Sequence, residues 1–187
     1  ADRDMELELA GCVLAHNVVS GETGTGKGGG LLCNKEGAIV RNCTIIGNAV
    51  HGNTSVYAGG GVSFGGSGRE ITNCVLRGNF PNQAFLLSTQ ATYNNVEGGL
   101  SGEGNIDEDA GFALPGDPHL RAGSACVDRG TNSVVADVWP FDLDGTPRPL
   151  DGDGNQEAVL DMGAYEFDPA GRALAVAPRA HWLTCTD

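Results

Sequence analysis

Six oxygen-bearing side chains in an Asp- and Gly-rich stretch are the strongest candidates for chemistry in this sequence. They are Asp142, Asp144, Asp151, Asp153, Asn155 and Glu157. The last four alternate as D-x-D-x-N-x-E, a spacing that turns oxygen atoms toward one point when a glycine-rich loop curls. Calcium takes about six to eight oxygen ligands, so the pattern predicts a calcium ion in this loop, alone or shared with Asp142 and Asp144. The alternative is a solvated acidic loop without an ion. Met162 stands where an EF-hand carries its bidentate glutamate, which excludes that motif.

The elements that must position these residues repeat along the first half of the chain. Two sets of residues recur every 31 positions: Cys12, Cys43 and Cys74, and Asn17, Asn48 and Asn79. Glycine triplets at 28–30 and 59–61 keep the same interval. A fixed period of this length indicates a solenoid, in which each unit buries its apolar face against its neighbours.

Within each repeat, short β-branched runs alternate with Gly, Asn and Ser, and no apolar stretch has helical length or spacing. The sequence therefore predicts an all-β fold, a parallel β-helix of about three to four coils with an irregular C-terminal cap. We expect the coils over residues 1–106, the cap over 107–167 at the lower end of the stack, and a tail or linker over 168–187.

Alignment of the repeats predicts two inward ladders, one of the repeated cysteines and one of Leu14, Ile45 and Leu76. The position after the second ladder admits Arg77 and is predicted to face solvent, because side chains alternate along a strand. A fourth ladder residue is expected at Asn105, one period after Cys74. The glycine triplets mark places where the chain turns or where backbones approach closely.

The cysteines and asparagines each leave two interpretations open. Thiols in an inward ladder act as small apolar groups, and the alternative is a disulfide between rungs or one that involves Cys33, Cys126 or Cys185. Parallel Cβ vectors disfavour a bridge between rungs, and the cysteine spacings do not fit zinc. The repeated asparagines, with Asn42 and Asn73, are interpreted as corner residues that bond locally, in preference to a polar binding row.

Charge and hydropathy exclude two classes of partner. With 24 acidic and 11 basic residues, the net charge is −13, which disfavours nucleic acid because its phosphates need Lys and Arg. The chain has no apolar run of the length, about 18 residues, that spans a membrane. Its first residues lack the features of a signal peptide. Leu9 aligns with Val40 and Ile71, so we expect N-terminal coils of a longer chain to precede this one.

An ordered series of motifs follows the repeats: GNIDEDAGF, DPHLRAGSACVDRG, DLDGTPRP and DMGAYEF. From about Leu7 to Phe167 the chain resembles the C-terminal portion of bacterial right-handed parallel β-helix proteins of the choice-of-anchor Q type, in the pectin-lyase-like superfamily. This resemblance implies a right-handed coil and an extracellular or cell-surface location. The tail after Phe167 departs from the family because it contains no recognisable anchor.

Three residues of the last motifs could carry catalysis. Arg148, Asp161 and Glu166 match the family's D-x-x-G-x-x-R and D-[IM]-G-A-x-E patterns, and a catalytic interpretation makes them acid, base and charge stabiliser. The preferred interpretation is that Arg148 pairs with a carboxylate and pins the cap onto the last coil, with Met162, Ala164 and Phe167 in apolar contact.

Three functions remain as expectations. The first is a secreted or cell-surface scaffold, adhesive or glycan-contacting, whose partner is a polysaccharide or a cell-surface molecule and which has no catalytic site in this fragment. The second is a polysaccharide lyase or glycoside hydrolase, which needs an arginine or lysine base or a pair of carboxylates. The third is a calcium-dependent extracellular module. The candidate bases are Arg41, Arg69 and Arg77, and the candidate sugar-stacking aromatics are Tyr57, Tyr93 and Trp139.

Overall fold

Short parallel strands build the protein. The computed structural model describes residues 7–20, 27–34, 37–52, 59–86 and 89–171. The strands in these ranges are β1 Glu8–Ala10, β2 Val13–Ala15, β3 Val18–Ser20, β4 Leu31–Cys33, β5 Ile39–Arg41, β6 Thr44–Ile46, β7 Ala49–His51, β8 Val62–Phe64, β9 Arg69–Thr72, β10 Val75–Arg77, β11 Ala84–Leu86, β12 Thr89–Thr92 and β13 Asn95–Val96. A 3-10 helix follows at Asn132–Asp137, capped by the Thr131 side chain, which accepts from the Ser133 backbone N–H.

The strands form four parallel sheets through which the chain passes in turn. The first sheet has the order β1-β5-β9-β12, the second β13-β10-β6-β2, the third β3-β7 and the fourth β11-β8-β4. After each strand of the fourth sheet, the chain returns to the first sheet one position further along. This path is that of a parallel β-helix, as the sequence predicts.

The strand register of the first three coils follows the 31-residue repeat. Leu9, Val40 and Ile71 lie in register across the first sheet, and the Leu14 ladder does so across the second. The inward cysteines and aliphatic residues of these rungs form the main core, and Val40, Cys43 and Ile45 are fully buried. The full coils therefore have the length that the 31-residue period predicts.

The coils shorten toward the C-terminal end. The backbone N–H of Cys74 donates to Asn94 Oδ1 at 2.8 Å, only 20 residues further on, and the Asn94 backbone N–H donates to Asn105 Oδ1 at 2.8 Å, 11 residues further on. Asn105 therefore lies in the predicted ladder, but as its fifth residue. Asn94 occupies the fourth position, which was expected for Asn105. The shortened coils narrow the stack, and Leu100 packs against its core.

The glycine triplets occur where neighbouring coils approach closely. A Cβ atom on Gly29 would clash with the Gly60 carbonyl oxygen, and a Cβ atom on Gly60 would clash with that of Phe80. The backbone of Gly29 donates to the Gly59 carbonyl at 3.3 Å. This confirms that backbones meet at the triplets.

Asparagines serve two different roles. Asn42 and Asn73 have positive φ angles of 46° and 54°, which confirms them as left-handed corner residues. Asn48 and Asn79 instead bond to residues one coil away, and the side chains of Asn42 and Asn73 donate to Asp161 and Thr131. The prediction of local bonding was therefore wrong for Asn42, Asn48 and Asn73, and it holds in part for Asn79, which also donates to Gln83.

The C-terminal segment, residues 107–171, packs along the side of the stack. Asn42 Nδ2 donates to the Asp161 carbonyl at 3.0 Å, Asn73 Nδ2 donates to the Thr131 carbonyl at 3.0 Å, and Asn95 Nδ2 donates to Cys126 Sγ at 3.2 Å. These partners belong to the second, third and fourth coils. The expected position at the lower end of the stack is therefore corrected to a lateral one.

This lateral packing changes which side chains are buried. Val75, which strand alternation turns outward, is fully buried because it packs against Ala110, Cys126 and Met162. On the same outer face, Ile46 is only 6% exposed and Arg77 is half-buried. The prediction that this position faces solvent was wrong, because the second sheet carries core on both of its faces.

Candidate functional sites

A cluster of three aspartates joins the predicted acidic loop to a distant residue. Asp128, which has a φ of 52°, accepts hydrogen bonds at Oδ2 from the backbone N–H groups of Gly152 (3.0 Å) and Asp153 (2.7 Å). These bonds bring the loop onto Asp128, and one oxygen from each of Asp128, Asp151 and Asp153 lies within 4.8 Å of the others. The three carboxylates could hold a metal ion.

The electrostatics of the cluster favour a positive partner. Burial raises the pKa of Asp128, and the charge of Asp153 raises it further, while backbone N–H groups oppose the shift. Asp151 accepts from the backbone N–H groups of Gly154 and Gln156 at 2.7 and 2.8 Å, which curls the loop. A cation beside these oxygens would relieve the repulsion between their charges.

Only part of the predicted ligand set meets in this cluster. Asp151 and Asp153 belong to it, and Asn155 lies beside Asp153, to which its Nδ2 donates at 3.1 Å. Glu157 is exposed, and its backbone N–H donates to Asn155 Oδ1. Asp128 was missed because it precedes the loop by more than 20 residues in a different motif, and no spacing links it to the loop.

The other two predicted ligands occupy a separate turn. Asp142 is buried and accepts from the backbone N–H groups of Asp144, Thr146 and Glu166 at 2.8 to 3.0 Å. Asp144 Oδ2 lies 2.8 Å from Nε2 of His119. Asp142 and Asp144 thus bond within their own surroundings, and the predicted calcium set as a whole stays a prediction.

His119 bridges two acidic residues. Its Nδ1 bonds Asp117 Oδ1, its Nε2 faces Asp144, and its ring centroid lies 4.0 Å from that of Tyr165. Burial lowers the pKa of His119, but the two carboxylates together raise it above its ordinary value. The hydrogen bond from His119 lowers the pKa of Asp117.

Arg148 and Glu166 form a buried ion pair, which confirms that Arg148 pairs with a carboxylate. Arg148 Nε lies 3.4 Å from Glu166 Oε1, and the two side chains are 1% and 0% exposed. Arg148 also donates through Nη2 to the Ala164 carbonyl. Because Ala164 donates its backbone N–H to Thr44 Oγ1 at 2.9 Å, the pair fixes the C-terminal segment to the second coil and not to the last one.

Asp161 completes this network without a direct ion pair. Its two oxygens accept from the backbone N–H groups of Asp128 (2.7 Å) and Phe167 (2.6 Å). Burial raises the pKa of Asp161 and of Glu166, and the Arg148 charge opposes both shifts. Each of these groups has a structural partner, so their geometry is that of a fastening between segments.

The candidate arginine bases are all engaged. Arg41 is in ion-pair contact with Glu8 (3.6 Å), Glu70 (3.2 Å) and Asp137 (3.3 Å). Arg69 is 1% exposed, with its guanidinium carbon 5.7 Å from the centroid of the Phe64 ring. Arg77 donates to Asn95 Oδ1 at 2.9 Å and to the Glu108 carbonyl at 2.7 Å.

Exposed aromatic side chains lie on the C-terminal segment. Trp139 is 73% exposed and Phe141, two residues further on, is 43% exposed. Tyr93 is half-buried against the core cluster that contains Val75, Cys126 and Met162, and its hydroxyl hydrogen-bonds to Glu103. Tyr57 lies outside the described residues. Trp139 is therefore the sugar-stacking candidate that the structure presents to solvent.

The stacked sheets and the side-chain ladders define the chain as a parallel β-helix protein. No family model matches the chain, and neither curated proteins nor solved structures include a significant match. No helix in the described part of the chain is both long enough and apolar enough to cross a membrane.

Proposed function

We propose that this protein is a secreted or cell-surface β-helix scaffold that contacts glycans; the resemblance to choice-of-anchor Q proteins supports the location only. The observation that carries the proposal is the exposure of Trp139, with Phe141 beside it, on a segment fastened to rigid coils. An exposed indole presents a flat apolar face and an N–H donor, and this combination suits a sugar ring. Polysaccharide or a cell-surface glycan is the proposed partner.

The arginine contacts favour the scaffold over a lyase. A lyase needs an arginine or lysine base that is available to substrate beside bound calcium. Arg41 instead contacts three carboxylates, and Arg69 is buried within the coils. The lyase or hydrolase alternative would place its centre elsewhere in the chain.

Glycan-array binding with the labelled protein tests this proposal. Trp139→Ala is expected to lose about fivefold or more in affinity, since stacking of an aromatic ring on a bound group contributes on the order of 1 kcal/mol or more. Phe80→Ala is the matched control because Phe80 is an exposed aromatic, 56% accessible, on the coils. Equal binding by both variants, or no binding by the wild type, would contradict the proposal.

We also propose that Asp128, Asp151 and Asp153 bind a calcium ion, in a protein that works outside the cell. The proximity of the three carboxylates favours it, since calcium prefers oxygen ligands and accepts irregular geometry.

Calcium should raise the thermal unfolding midpoint relative to excess chelator, because it binds the native state alone. Asp153→Asn should abolish the rise, and Asp109→Asn, at another exposed acidic residue, should leave it intact. Equal midpoints with calcium and with chelator would contradict this proposal without affecting the glycan proposal.

A further inference from the structure

The C-terminal end of the stack is covered on two sheets and open on the fourth. On the first sheet, Asn105 Nδ2 donates to the Ala91 carbonyl of β12 at 2.9 Å. On the second sheet, the Val96 backbone N–H of β13 donates to the Ile106 carbonyl at 2.9 Å. On the fourth sheet, β11 pairs with β8 on one side, and in the part of the chain that the structure describes no strand pairs with its other side. Strand β11 is therefore an edge strand.

The backbone of β11 presents hydrogen-bonding groups at this open edge. The Val62 backbone N–H donates to the Gln83 carbonyl at 3.1 Å, so that carbonyl points toward β8. Backbone groups of consecutive residues in a strand point to opposite sides. Phe85 therefore turns its N–H and C=O toward β8, and Ala84 and Leu86 turn theirs away from it. Such a row of groups is a template for pairing with another chain.

A cleft lies beside the start of this edge. It has a volume of about 320 Å³, and its two walls are residues 81–84 and 96–100. Ala84, Leu86 and Leu100 are half-buried and pack against the main core. An added strand turns alternate side chains to one face, so its inward side chains would cover the exposed parts of these three residues. The cleft thus offers an extended segment both backbone partners and apolar contact.

We propose that β11 binds an extended peptide that carries lysine or arginine, by adding it to the fourth sheet as a further strand. The charge comes from Glu97, an exposed residue on the wall of the cleft. Its Oε2 accepts from the Gly78 backbone N–H at 2.6 Å and from Gln83 Nε2 at 3.1 Å. Both donors are neutral, so neither compensates the negative charge of the carboxylate. A cationic side chain of the bound peptide would do so.

Neighbouring charges favour the same occupant. The backbone N–H of Gly98, on the wall of the cleft, donates to Asp107 Oδ2 at 3.2 Å, which places a second carboxylate beside the bound peptide. Arg77 contacts Asp107 at 3.6 Å, so Glu97 remains the main partner for a cation. A second copy of the chain is a poorer occupant, because each copy carries a net charge of −13 and the copies repel one another.

Fluorescence anisotropy with a labelled hexapeptide, Lys-Val-Lys-Val-Lys-Val, tests the proposal. We expect saturable binding that weakens as salt is added. The peptide Glu-Val-Glu-Val-Glu-Val should not bind. The lysine peptide methylated on every backbone nitrogen should bind at least about tenfold more weakly, because it cannot donate hydrogen bonds to the edge. Hydrogen exchange should slow at the Ala84 and Leu86 amides in the complex, the two N–H groups that an added strand would engage.

Matched variants separate the edge and the carboxylate from general electrostatic attraction. Ala84→Pro removes an outward N–H that the pairing with β8 does not use, and proline is tolerated in edge strands. This variant should bind the lysine peptide about tenfold more weakly. Glu97→Gln keeps an oxygen that can accept from Gly78 and loses the charge, so it should bind about threefold more weakly at low salt. Glu108→Gln, at an exposed acidic residue outside the cleft, should bind as the wild type does.

Four results would overturn the proposal. They are no binding of the lysine peptide, equal weakening by Glu97→Gln and Glu108→Gln, unchanged exchange at the Ala84 and Leu86 amides in the complex, and wild-type affinity in Ala84→Pro that circular dichroism shows to be folded. Self-association of the free protein that Ala84→Pro abolishes would instead assign the edge to a second copy. Because the assay contains no glycan, each of these results leaves the glycan proposal intact.

Discussion

Asn48 receives two hydrogen bonds from Asn17, its equivalent one coil earlier. Its Oδ1 accepts from the backbone N–H of Asn17 at 3.0 Å and from Asn17 Nδ2 at 2.9 Å. Asn79 receives the same pair from Asn48 at 2.9 and 3.0 Å, and Gln83 receives it from Asn79 at 3.1 and 2.8 Å. Asn48 also returns a bond through Nδ2 to the Leu14 carbonyl. This ladder satisfies buried backbone groups that the strands leave unpaired.

The ladder makes Asn48 a strong determinant of stability. Asn48→Ala should lower the free energy of unfolding by about 3 kcal/mol, because it leaves buried partners in two neighbouring coils without hydrogen bonds. Asn17→Ala is the matched control at the exposed first rung and should lose about 1 kcal/mol. Urea unfolding of both variants measures the difference, and equal losses would show that the ladder carries no special stability.

The repeat period predicted the full coils because identical residues stack on one another. Cys43 and Cys74 lie in one ladder, with the Cys43 backbone N–H donating to Cys74 Sγ at 3.4 Å. The fourth step, at Asn94, was missed because the shortened coil breaks the period while a chemically different side chain keeps the hydrogen bond. Periodicity locates a rung only where the length of the coil is constant.

The lateral segment and one of the three aspartates of the candidate metal site, Asp128, left no signal in the sequence. Asn42 and Asp161 meet across 119 residues, and irregular backbone has no repeating pattern that could specify such a contact. Asp151 and Asp153 were identifiable since their alternation lies within one loop. Asp128 joins them through tertiary packing alone, which the sequence does not display.

Buried thiols should resist modification in the folded protein. Among the described residues, Cys33, Cys43, Cys74 and Cys126 carry free buried thiols and Cys12 carries a free half-buried one, as the interpretation of the ladder cysteines as small apolar groups expects. Burial raises the pKa of Cys126 to about 11, and the thiolate is the reactive form. In a Cys185→Ser background, Ellman's reagent should react at least about a hundredfold more slowly before unfolding than after, since access requires opening of the fold. Rapid reaction of all thiols in the native state would contradict the ladder.

His119 should give the protein a pH-dependent stability. Because its folded pKa is raised, its contribution is fully present below the unfolded pKa and is lost as pH rises through the folded pKa. The lowered pKa of Asp117 has the opposite sense, so that contribution is lost as pH falls through the folded pKa. Thermal unfolding of the wild type and His119→Gln should therefore differ most at mildly acidic pH and converge at alkaline pH. A difference that stays constant with pH would contradict the bridge between Asp117 and Asp144.

Arg148 should matter more as pH rises. Its removal in Arg148→Met leaves the buried Glu166 carboxyl without its cation, which should destabilise the protein by about 3 to 5 kcal/mol. Burial already raises the pKa of Glu166, and loss of the Arg148 charge raises it further. The folded state then holds a proton that the unfolded chain releases, so stability falls as pH rises above the ordinary carboxyl range. Urea unfolding at several pH values should show a stability deficit of Arg148→Met that grows with pH.

The double variant Arg148→Met/Glu166→Gln should recover part of the stability and lose this pH dependence, since the introduced amide is neutral and its oxygen can still accept from the Asp161 backbone N–H. A deficit independent of pH, or a double variant less stable than Arg148→Met, would show that the ion pair is not what fastens the C-terminal segment to the coils.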